Sequence, residues 1–521
     1  MYIAGAEHIK QADAAMLQQY AVPTLLLMET AGRKTAEHLL AKFPAVTHYY
    51  ILAGAGNNGG DGMVAARYLH AAGKTAWIML VGDDKKLSPD AAINWAICQK
   101  AGIRCTVYAP GAEEAFAAGA AYPHALLLDA LLGVGFAPPL RDPLPGILEK
   151  IRLLGVRVVA IDLPSGLEAH TGRVSATPIP AMLTLTFAFP KICHYVTPAA
   201  NFCGEVEVVD IGIYPEVMRA LQLRDQIVTQ TLVRQAFLPR AENAAAHDSH
   251  KGTYGHVLVA GGSLGKAGAI ALCGEACLEM GAGLSTAFIP GSILQALQAA
   301  FPPVMCVPTG GEKEAHLVQA NAADFEHALA GKAAVALGPG LSNVPDTAAF
   351  MRAVLPMITS VGIPLVLDAD ALNILADHDD LWKLLPAATI LTPHPGEMAR
   401  LMHTTNTAIQ QSRIESARKL AAERGVVVVL KGAGTITALP TGACYINRTG
   451  NPGMATAGTG DVLTGAIAGL LAQGMPPAQA AFVGVYVHGR AGDLVARRIG
   501  QEGVTATRLL RTLSRALNLT A

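Results

Sequence analysis

Short apolar runs alternate with amphipathic runs from one end of the chain to the other. HYYILAG, TAWIMLVG, HALLLDALLG, VRVVAIDLPSG and EVEVVDIG, then GHVLVAGGS, AAVALGPG, IPLVLDADAL, ATILTPHPGE and GVVVVLKGAGT, each read as a strand running into a turn. Most are rich in β-branched residues and close on Gly, Pro or Asp, which end extended pairing. Between them the spacing predicts helices, as in DGMVAARYLHAAG and TAIQQSRIESARKLAAERG. Near-continuous apolar strands alternating with helices predict parallel sheets covered on both faces. In such sheets ligands bind at the carboxyl ends of the strands, and nearly all the Gly/Asp/Asn/Pro clusters of this chain fall there.

The alternation pauses once, in the polar, strand-poor stretch RALQLRDQIVTQTLVRQAFLPRAENAAAHDSHKGTYG. A domain boundary is expected near residues 215 to 230, with one domain over 1–220 and a second over 221–521. No internal repeat or low-complexity tract occurs, and the halves use different motifs, so the chain reads as a fusion rather than a duplication. The expected fold is α/β in two domains: a Rossmann-like α/β/α sandwich, then an α/β domain with a mostly parallel sheet.

Composition narrows the functions. Of 521 residues 51% are apolar and 15% charged, enough for large buried cores. A formal net charge of -1 and 5% aromatic residues argue against a nucleic-acid or anionic-membrane binder. The eight cysteines are scattered without a CxxC. Cys273 and Cys277, four apart in a helical pattern, read as a metal pair or, better, as two small buried residues on one helix face. No basic leader followed by an apolar stretch opens the chain, and no uncharged apolar run approaches the length of a membrane span. A reducing cytoplasm is the expected compartment.

Two glycine-rich motifs dominate the second half. VLKGAGT, Val429 to Thr435, puts Lys431 and two glycines behind a β-branched strand, and AGTGD, Ala457 to Asp461, follows it. A glycine loop feeding a helix N-terminus offers free backbone N–H groups and the positive end of the helix dipole, a setting for phosphate. The run behind Asp461, VLTGAIAGLLAQG, has the composition of a helix buried on a sheet. Asp461 itself reads two ways: as an N-cap of that helix, or as a base toward a hydroxyl attacking a γ-phosphate held by the loop. The glycines likewise serve either tight packing or the phosphate.

This arrangement resembles the ribokinase-like superfamily, whose GxGD anion hole is matched by Gly458, Gly460 and Asp461. A narrower resemblance spans the second half. HDSHKGTYGHVLVAGGS, GAGL at Gly281 to Leu284, LGPGLS, LVLDADALN, LTPHPGEMARL, VLKGAGT and NPGMATAGTGDVLTG occur together and in order, as in the ADP/ATP-dependent NAD(P)H-hydrate dehydratase family. Ala457 departs from the glycine of many relatives, which requires a negative φ there. The resemblance implies a ribokinase-like domain that phosphorylates the C6 hydroxyl of hydrated NADH or NADPH and expels phosphate, using Mg²⁺ with ADP or ATP. It implies Asp461 as catalytic base, and Gly268, Ala269, Gly340, His394 and Asp461 as contacts to the hydrate. Lys431, Gly432, Ala433, Gly434, Thr435 and Gly460 would contact the nucleotide. Taken alone, His394 also reads as a structural loop histidine. Asp368 and Asp370 either bear on Mg²⁺ through water or cap the next helix.

In the first half, YYILAGAGNNGGDGMVAARYL follows a strand and opens a helix, with Gly54, Gly56 and Gly59 satisfying GxGxxG. An acidic residue follows the next strand in WIMLVGDD, so a dinucleotide-binding Rossmann fingerprint is a fair reading. Against it, the loop continues as Asn-Asn-Gly-Gly-Asp-Gly, more polar than pyrophosphate needs. Two further polar strand ends converge on the same edge: LLLDALLGVGFAPPL with Asp129, and VVAIDLPSGL with Asp162 and Ser165. A carboxylate, an amide and a hydroxyl or carbonyl at strand ends suit a hard cation.

With LLMETAG (Leu26 to Gly32) and FAFPK (Phe187 to Lys191), these motifs resemble the NAD(P)H-hydrate epimerase family from about residue 8 to residue 213. The resemblance implies interconversion of R and S hydrates, and K⁺ held by Asn58, Asp129 and Ser165. It implies Asn57, Asn58, Gly59, Gly60, Asp61, Asp162 and the loop Gly133, Val134, Gly135, Phe136, Ala137, Pro138, Pro139 as hydrate contacts. Asp162 is the expected proton-transfer group, with Asp61 second. The bland alternatives are a helix cap for Asp61 and a turn former for Asp162.

Together the halves resemble the bifunctional NAD(P)H-hydrate repair enzymes, epimerase then dehydratase, acting on small molecules and expected to assemble as homo-oligomers. The rivals are a ribokinase-superfamily kinase of the hydroxymethylpyrimidine or thiazole type, and a first half that serves only as an interaction module.

Overall fold

The computed structural model describes residues 1–175, 178–237 and 248–520. Residues 238–247 of the polar inter-domain stretch, with His247 of the HDSHKGTYG motif, lie outside the described residues. The chain divides into two compact units, Tyr2–Asp225 and Gln226–Ala521, the latter joined by Met1.

The first unit is built on β1 (His48–Gly54), β2 (Thr75–Val81), β3 (Arg104–Val107), β4 (Ala125–Ala130), β5 (Val158–Ile161), β6 (Leu183–Phe187) and β7 (Glu205–Val209). They pair in the order β3-β2-β1-β4-β5-β6-β7, every pair parallel. The order reverses at β1, so a crevice opens where the connections leave β1 and β4 in opposite directions. All residues of β4 and β5 are buried, as helices on both faces require.

The second unit adds β8 (Gln226–Ile227), β9 (His256–Ala260), β10 (Leu284–Pro290), β11 (Met305–Thr309), β12 (Ala334–Leu337), β13 (Leu365–Leu367), β14 (Thr389–Leu391), β15 (Val427–Leu430), β16 (Ile436–Ala438) and β17 (Cys444–Ile446). Their order is β11-β10-β9-β12-β13-β14-β15-β16-β17-β8. From β11 to β15 all pairs are parallel; β16 runs antiparallel to both its neighbours. The carboxyl ends of β9, β12, β13, β14 and β15 therefore line up along one edge, carrying in turn Ser263, Gly340, Asp368, His394 and Lys431.

Helix Thr459–Ala472 is buried from Val462 onward. It packs on helix Ala267–Glu279 through glycine: a Cβ on Gly465 would strike the Cys273 carbonyl, and one on Gly469 would lie 2.6 Å from that of Cys277. Cys273 and Cys277 are thus the small buried residues under that contact, and Cys277 Sγ donates back to Cys273 O at 3.2 Å. The close packing fixes the helix start that carries Asp461.

One helix departs from its pattern. The stretch from Thr407 to Gly425 splits into Asn406–Gln411 and Arg413–Arg424, because Ser412 leaves helical geometry (φ -139°, ψ 45°). Arg413 is buried and donates through Nη2 to the carbonyls of Leu430 (3.4 Å) and Lys431 (3.2 Å), at the end of β15.

Candidate functional site

In the second unit a glycine loop enters helix Thr459–Ala472 at Gly458, with the Asp461 carboxyl in the first turn. Gly458 is the N-cap, with φ 86°, and Ala457 keeps the negative φ that an alanine requires. The first bond back to the cap is donated by Val462 N to Gly458 O, at 3.2 Å. The preceding amides are the orphan donors of a helix terminus. Asp461 does not cap this helix: its carboxyl has no hydrogen-bond partner among the described residues. Behind the loop, buried His488 donates from Nε2 to Thr459 O at 2.9 Å, and burial holds its imidazole down at about 4, hence neutral. Asn451 braces the approach, its Nδ2 donating to Asp493 Oδ1 at 3.0 Å while Asp493 Oδ2 accepts from Gly450 N at 3.0 Å.

The charges around Asp461 decide its state. Lys431 Nζ donates to Asp368 Oδ1 at 2.8 Å and lies 3.8 Å from Glu397 Oε2. Thr464, one helical turn beyond Asp461, donates to the other Asp368 oxygen at 2.7 Å. Burial pulls Lys431 down, but Asp368 and Glu397 outweigh it and leave the ammonium above its ordinary value. Burial, then the Asp368 charge, push the Asp461 carboxyl up to about 7, against the pull of Lys431. An unpaired carboxyl near neutrality beside orphan amides is suited to accept a hydroxyl proton while phosphate charge develops on the loop.

A Cβ on Gly460 would lie 3.3 Å from Lys431 Nζ, which puts the ammonium against the glycine loop at the helix start. Gly432 (φ 130°) and Gly434 (φ 65°) form the turn between β15 and β16 with Ala433, and Thr435 Oγ1 closes it on Gly432 O at 2.8 Å. Asp368 and Asp370 cap nothing: helix Asp370–Asp377 has no side-chain cap. Asp370 instead accepts from Lys266 Nζ (3.0 Å) and Ser342 N (2.8 Å). Gly268 faces open space, whereas a Cβ on Gly340 would press within 3.3 Å of the Ala269 Cβ. His394 caps helix Pro395–Leu401, its Nδ1 accepting from Gly396 N (3.0 Å) and Glu397 N (3.2 Å), while its Nε2 lies 3.4 Å from Glu397 Oε1 and the side chain as a whole is half exposed.

The first unit holds a cavity of about 580 Å³ at the carboxyl ends of β1, β4, β5 and β6. Asn57, Asn58, Asp61, Gly133, Val134, Gly135, Phe136 and Asp162 line it; Ala137, Pro138 and Pro139 do not. Gly59 and Gly60 do not reach it either. A Cβ on Gly59 would overlap the Gly54 carbonyl, and one on Gly60 would meet Met28 at 2.6 Å, so both glycines serve packing. The helix runs from Asn57, so Asp61 lies inside its second turn and is no cap.

Lys191 sits on the same wall, hydrogen-bonded to Asp162 Oδ1 and, at 2.7 Å, to Thr186 Oγ1. Asp162 is held at φ 68°, a strained value for a non-glycine residue. Burial pushes its carboxyl up, but Lys191 outweighs it and leaves Asp162 below its ordinary value. Asp61 and Asp13 also face the cavity, and neither has a hydrogen-bond partner among the described residues. Burial, with Asp162 and Asp13 beside it, raises Asp61 well above the carboxylate range; burial holds Asp13 at about 6. Neither Asp13 nor a role for Lys191 was legible in the sequence. The signal for Lys191 was a single lysine closing the otherwise apolar FAFPK.

A cluster of buried oxygen atoms adjoins the cavity. Buried Asp129 accepts from Ser165 N (2.8 Å) and Ser165 Oγ (2.6 Å), and Leu132 N donates to Ser165 Oγ at 3.1 Å. Asn58 Nδ2 donates to Leu132 O at 2.8 Å, which leaves Asn58 Oδ1 buried without a partner. An orphaned amide oxygen beside a carboxylate and a hydroxyl fits a hard monovalent ion.

Residues 257–515 match the family model described as NAD(P)H-hydrate dehydratase, and residues 24–193 match the one described as YjeF-related protein N-terminus. The bifunctional NAD(P)H-hydrate repair enzyme Nnr of Moorella thermoacetica is 41% identical over 98% of this chain and 95% of its own length. The chain belongs to the bifunctional NAD(P)H-hydrate repair enzymes. Its Escherichia coli K12 relative of the same description is 32% identical, over 98% of this chain and 93% of that one. A Bacillus subtilis ADP/ATP-dependent NAD(P)H-hydrate dehydratase co-crystallised with ATP/Mg²⁺ is 31% identical, covering 57% of this chain and all but 1% of its own, with a TM-score of 0.49. Among the described residues no helix is long and apolar enough to cross a membrane, and no three His, Cys, Asp or Glu side chains are grouped to hold a metal by themselves.

Proposed function

We propose that the chain restores hydrated NADH and NADPH in two steps, one per unit. The first unit interconverts the R and S hydrates in the cavity of Asp162, Asp61 and Lys191, with K⁺ on Asn58, Asp129 and Ser165. The second consumes ADP or ATP to remove the C6 hydroxyl of the S hydrate. The observation that carries this reading is Asp461, an unpaired carboxyl raised to about 7 at the mouth of an anion hole.

Asp461 takes the proton of the C6 hydroxyl as its oxygen attacks the terminal phosphorus of the nucleotide. The Gly458–Gly460 amides and the Lys431 ammonium stabilise the charge on the transferred group. Phosphate then leaves C6, the ring nitrogen supplies electrons, and loss of a C5 proton restores the double bond. Hydroxide leaves poorly and phosphate well, which is why a nucleotide is consumed. Mg²⁺ would arrive on the nucleotide phosphates, which supply most of its oxygen ligands, and would neutralise their charge. Gly268, Ala269, Gly340 and His394 form the wall offered to the hydrate, and Lys431–Thr435 the turn offered to the nucleotide. No disulfide joins cysteines among the described residues, in keeping with a reducing cytoplasm.

The test is to supply mixed hydrates with ATP or ADP and follow absorbance at the reduced-nicotinamide band. Full recovery from both epimers is expected. Recovery stopping at the S form would remove the first activity, and a stable phosphate ester would mark a small-molecule kinase instead.

A further inference from the structure

The first unit must change configuration at C6 without removing its oxygen, since the second unit consumes a nucleotide to do that. C6 of the hydrate carries both the hydroxyl and the ring nitrogen, so it is a carbinolamine. Two bonds could open to epimerise it. Breaking C6–O gives a cation that needs only to lose a C5 proton to become the reduced ring, a dehydration with no nucleotide. Breaking C6–N opens the ring to an aldehyde, which turns and closes from its other face. The second route needs an acceptor for the hydroxyl proton and a donor to the ring nitrogen, side by side.

The cavity offers such a pair. Lys191 Nζ is in contact with Asp162 Oδ1, both side chains are at most 10% exposed, and both line the cavity. Thr186 Oγ1 holds the two together, bonded to Asp162 Oδ1 at 3.1 Å and to Lys191 at 2.7 Å. The third Lys191 contact, to Phe187 O, is long at 3.4 Å and is the one a ligand would replace. Asp162 Oδ2 has no hydrogen-bond partner among the described residues and faces Gly133, whose missing side chain leaves the approach open (a Cβ there would lie 3.6 Å away). Beside the polar Asp13, Asn57, Asn58 and Asp61, the wall carries the apolar Leu27, Met28, Phe136, Phe189 and Ile213, against which the ring can pack.

Resting on the functional reading above, we propose that Lys191 is a second catalytic residue of the epimerase site and that, with Asp162, it epimerises the hydrate by opening the C6–N bond. Asp162 takes the hydroxyl proton, the oxygen pair forms the carbonyl, the C6–N pair moves to nitrogen, and Lys191 protonates that nitrogen. After rotation about C5–C6 the nitrogen attacks the opposite carbonyl face. Its proton returns to Lys191 and that of Asp162 returns to oxygen. Nothing is oxidised or consumed, and both side chains end as they began.

The experiment is epimerisation of pure R hydrate in ¹⁸O water without nucleotide, by the full chain and by Lys191→Met and Lys191→Arg. The wild type is expected to deliver S hydrate that keeps its original oxygen above the enzyme-free background, since only C6–N has opened. Lys191→Met is expected to lose about 100-fold or more in kcat. Lys191→Arg should not restore it, because a guanidinium keeps the charge but does not give up its proton at working pH. One solvent oxygen per epimerisation overturns ring opening, and that result needs no variant to fold. An arginine variant with more than about a tenth of wild-type kcat reduces Lys191 to a counter-charge for Asp162. A wild type that leaves R hydrate unchanged instead defeats the epimerase reading itself.

Discussion

Each unit sets a lysine among several carboxyls at the carboxyl ends of parallel strands, and the two sites differ in which carboxyl that lysine holds. In the second, Lys431 bonds Asp368 and leaves Asp461 unpaired beside the glycine loop, where burial and then the Asp368 charge push its carboxyl up to about 7. In the first, Lys191 bonds Asp162 itself, which holds that carboxyl below its ordinary value, and Asp61 and Asp13 are left unpaired. The difference matches the proton balance of the two reactions. Phosphorylating a hydroxyl removes a proton from the substrate, and a lone carboxyl near neutrality accepts it. Epimerisation returns every proton it takes, and an ion pair can accept one and donate another in the same turn.

The contrast breaks most sharply at the two aspartates. Asp461→Asn is expected to cut nucleotide-dependent recovery of the reduced band by roughly 10³-fold while leaving R–S interconversion untouched. Asp162→Asn should do the reverse, with about 10²-fold or more lost from interconversion. Measuring both activities on both variants is the check. Loss of both activities in either variant would mean that the sites are not separable as described.

Acidity offers a smaller and finer test. Asp461 is raised, so below about pH 7 it is protonated and cannot act as base. Dehydration of the S hydrate should fall about tenfold for each pH unit below that point. Asp162 is lowered, so the acid limb of epimerisation lies further down, and pH profiles of the two activities should part in the acid range. Asp368→Asn sharpens the comparison. It removes the charge that, after burial, raises Asp461, and it frees Lys431 to pull the other way. Both effects move the dehydration limb to lower pH. An unmoved limb would show that Asp461 is not the titrating base. Smaller again is the cation: Asn58→Ala should cost about tenfold in interconversion and weaken its dependence on K⁺, with dehydration unaffected.

What was legible follows from how chemistry disturbs pattern. The ten strands read from apolar runs are all present, because buried parallel strands need no polar residue. β6, Leu183–Phe187, was overlooked, since its LTLTF alternation breaks such a run. Thr184 and Thr186 are nevertheless buried, and Thr186 is polar because it joins Asp162 to Lys191. β16 and β17 have three residues each, too short to stand out, and β3 is a half-exposed edge. Asp461 and Asp162 were visible because glycine and proline mark strand ends. Lys191, Asp13, Thr464 and His488 were not, since their partners are set by pairing and packing far away in sequence. Gly59 and Gly60 lie off the cavity wall and pack against Gly54 and Met28; a glycine that permits close packing looks the same in sequence as one that admits a ligand.

The smallest effect, at His394, separates those same two meanings for a side chain. Its Nδ1 accepts two amides of the first turn, and Glu397 Oε2 accepts from His394 N at 2.7 Å, a reciprocal cap. Because Nδ1 accepts, the proton lies on Nε2, which is 3.4 Å from Glu397 Oε1 and is the atom proposed to meet the hydrate. Removing the ring by His394→Ala should cost about 1 kcal/mol of stability in the second unit, measurable by denaturant unfolding. It should also loosen Glu397, which lies 3.8 Å from Lys431. His394→Asn keeps a capping oxygen and deletes Nε2. If its unfolding matches the wild type while KM for the S hydrate rises several-fold, His394 both caps the helix and touches substrate. If KM is unchanged in the asparagine variant, the histidine is a cap alone, and the substrate wall is left to Gly268, Ala269 and Gly340.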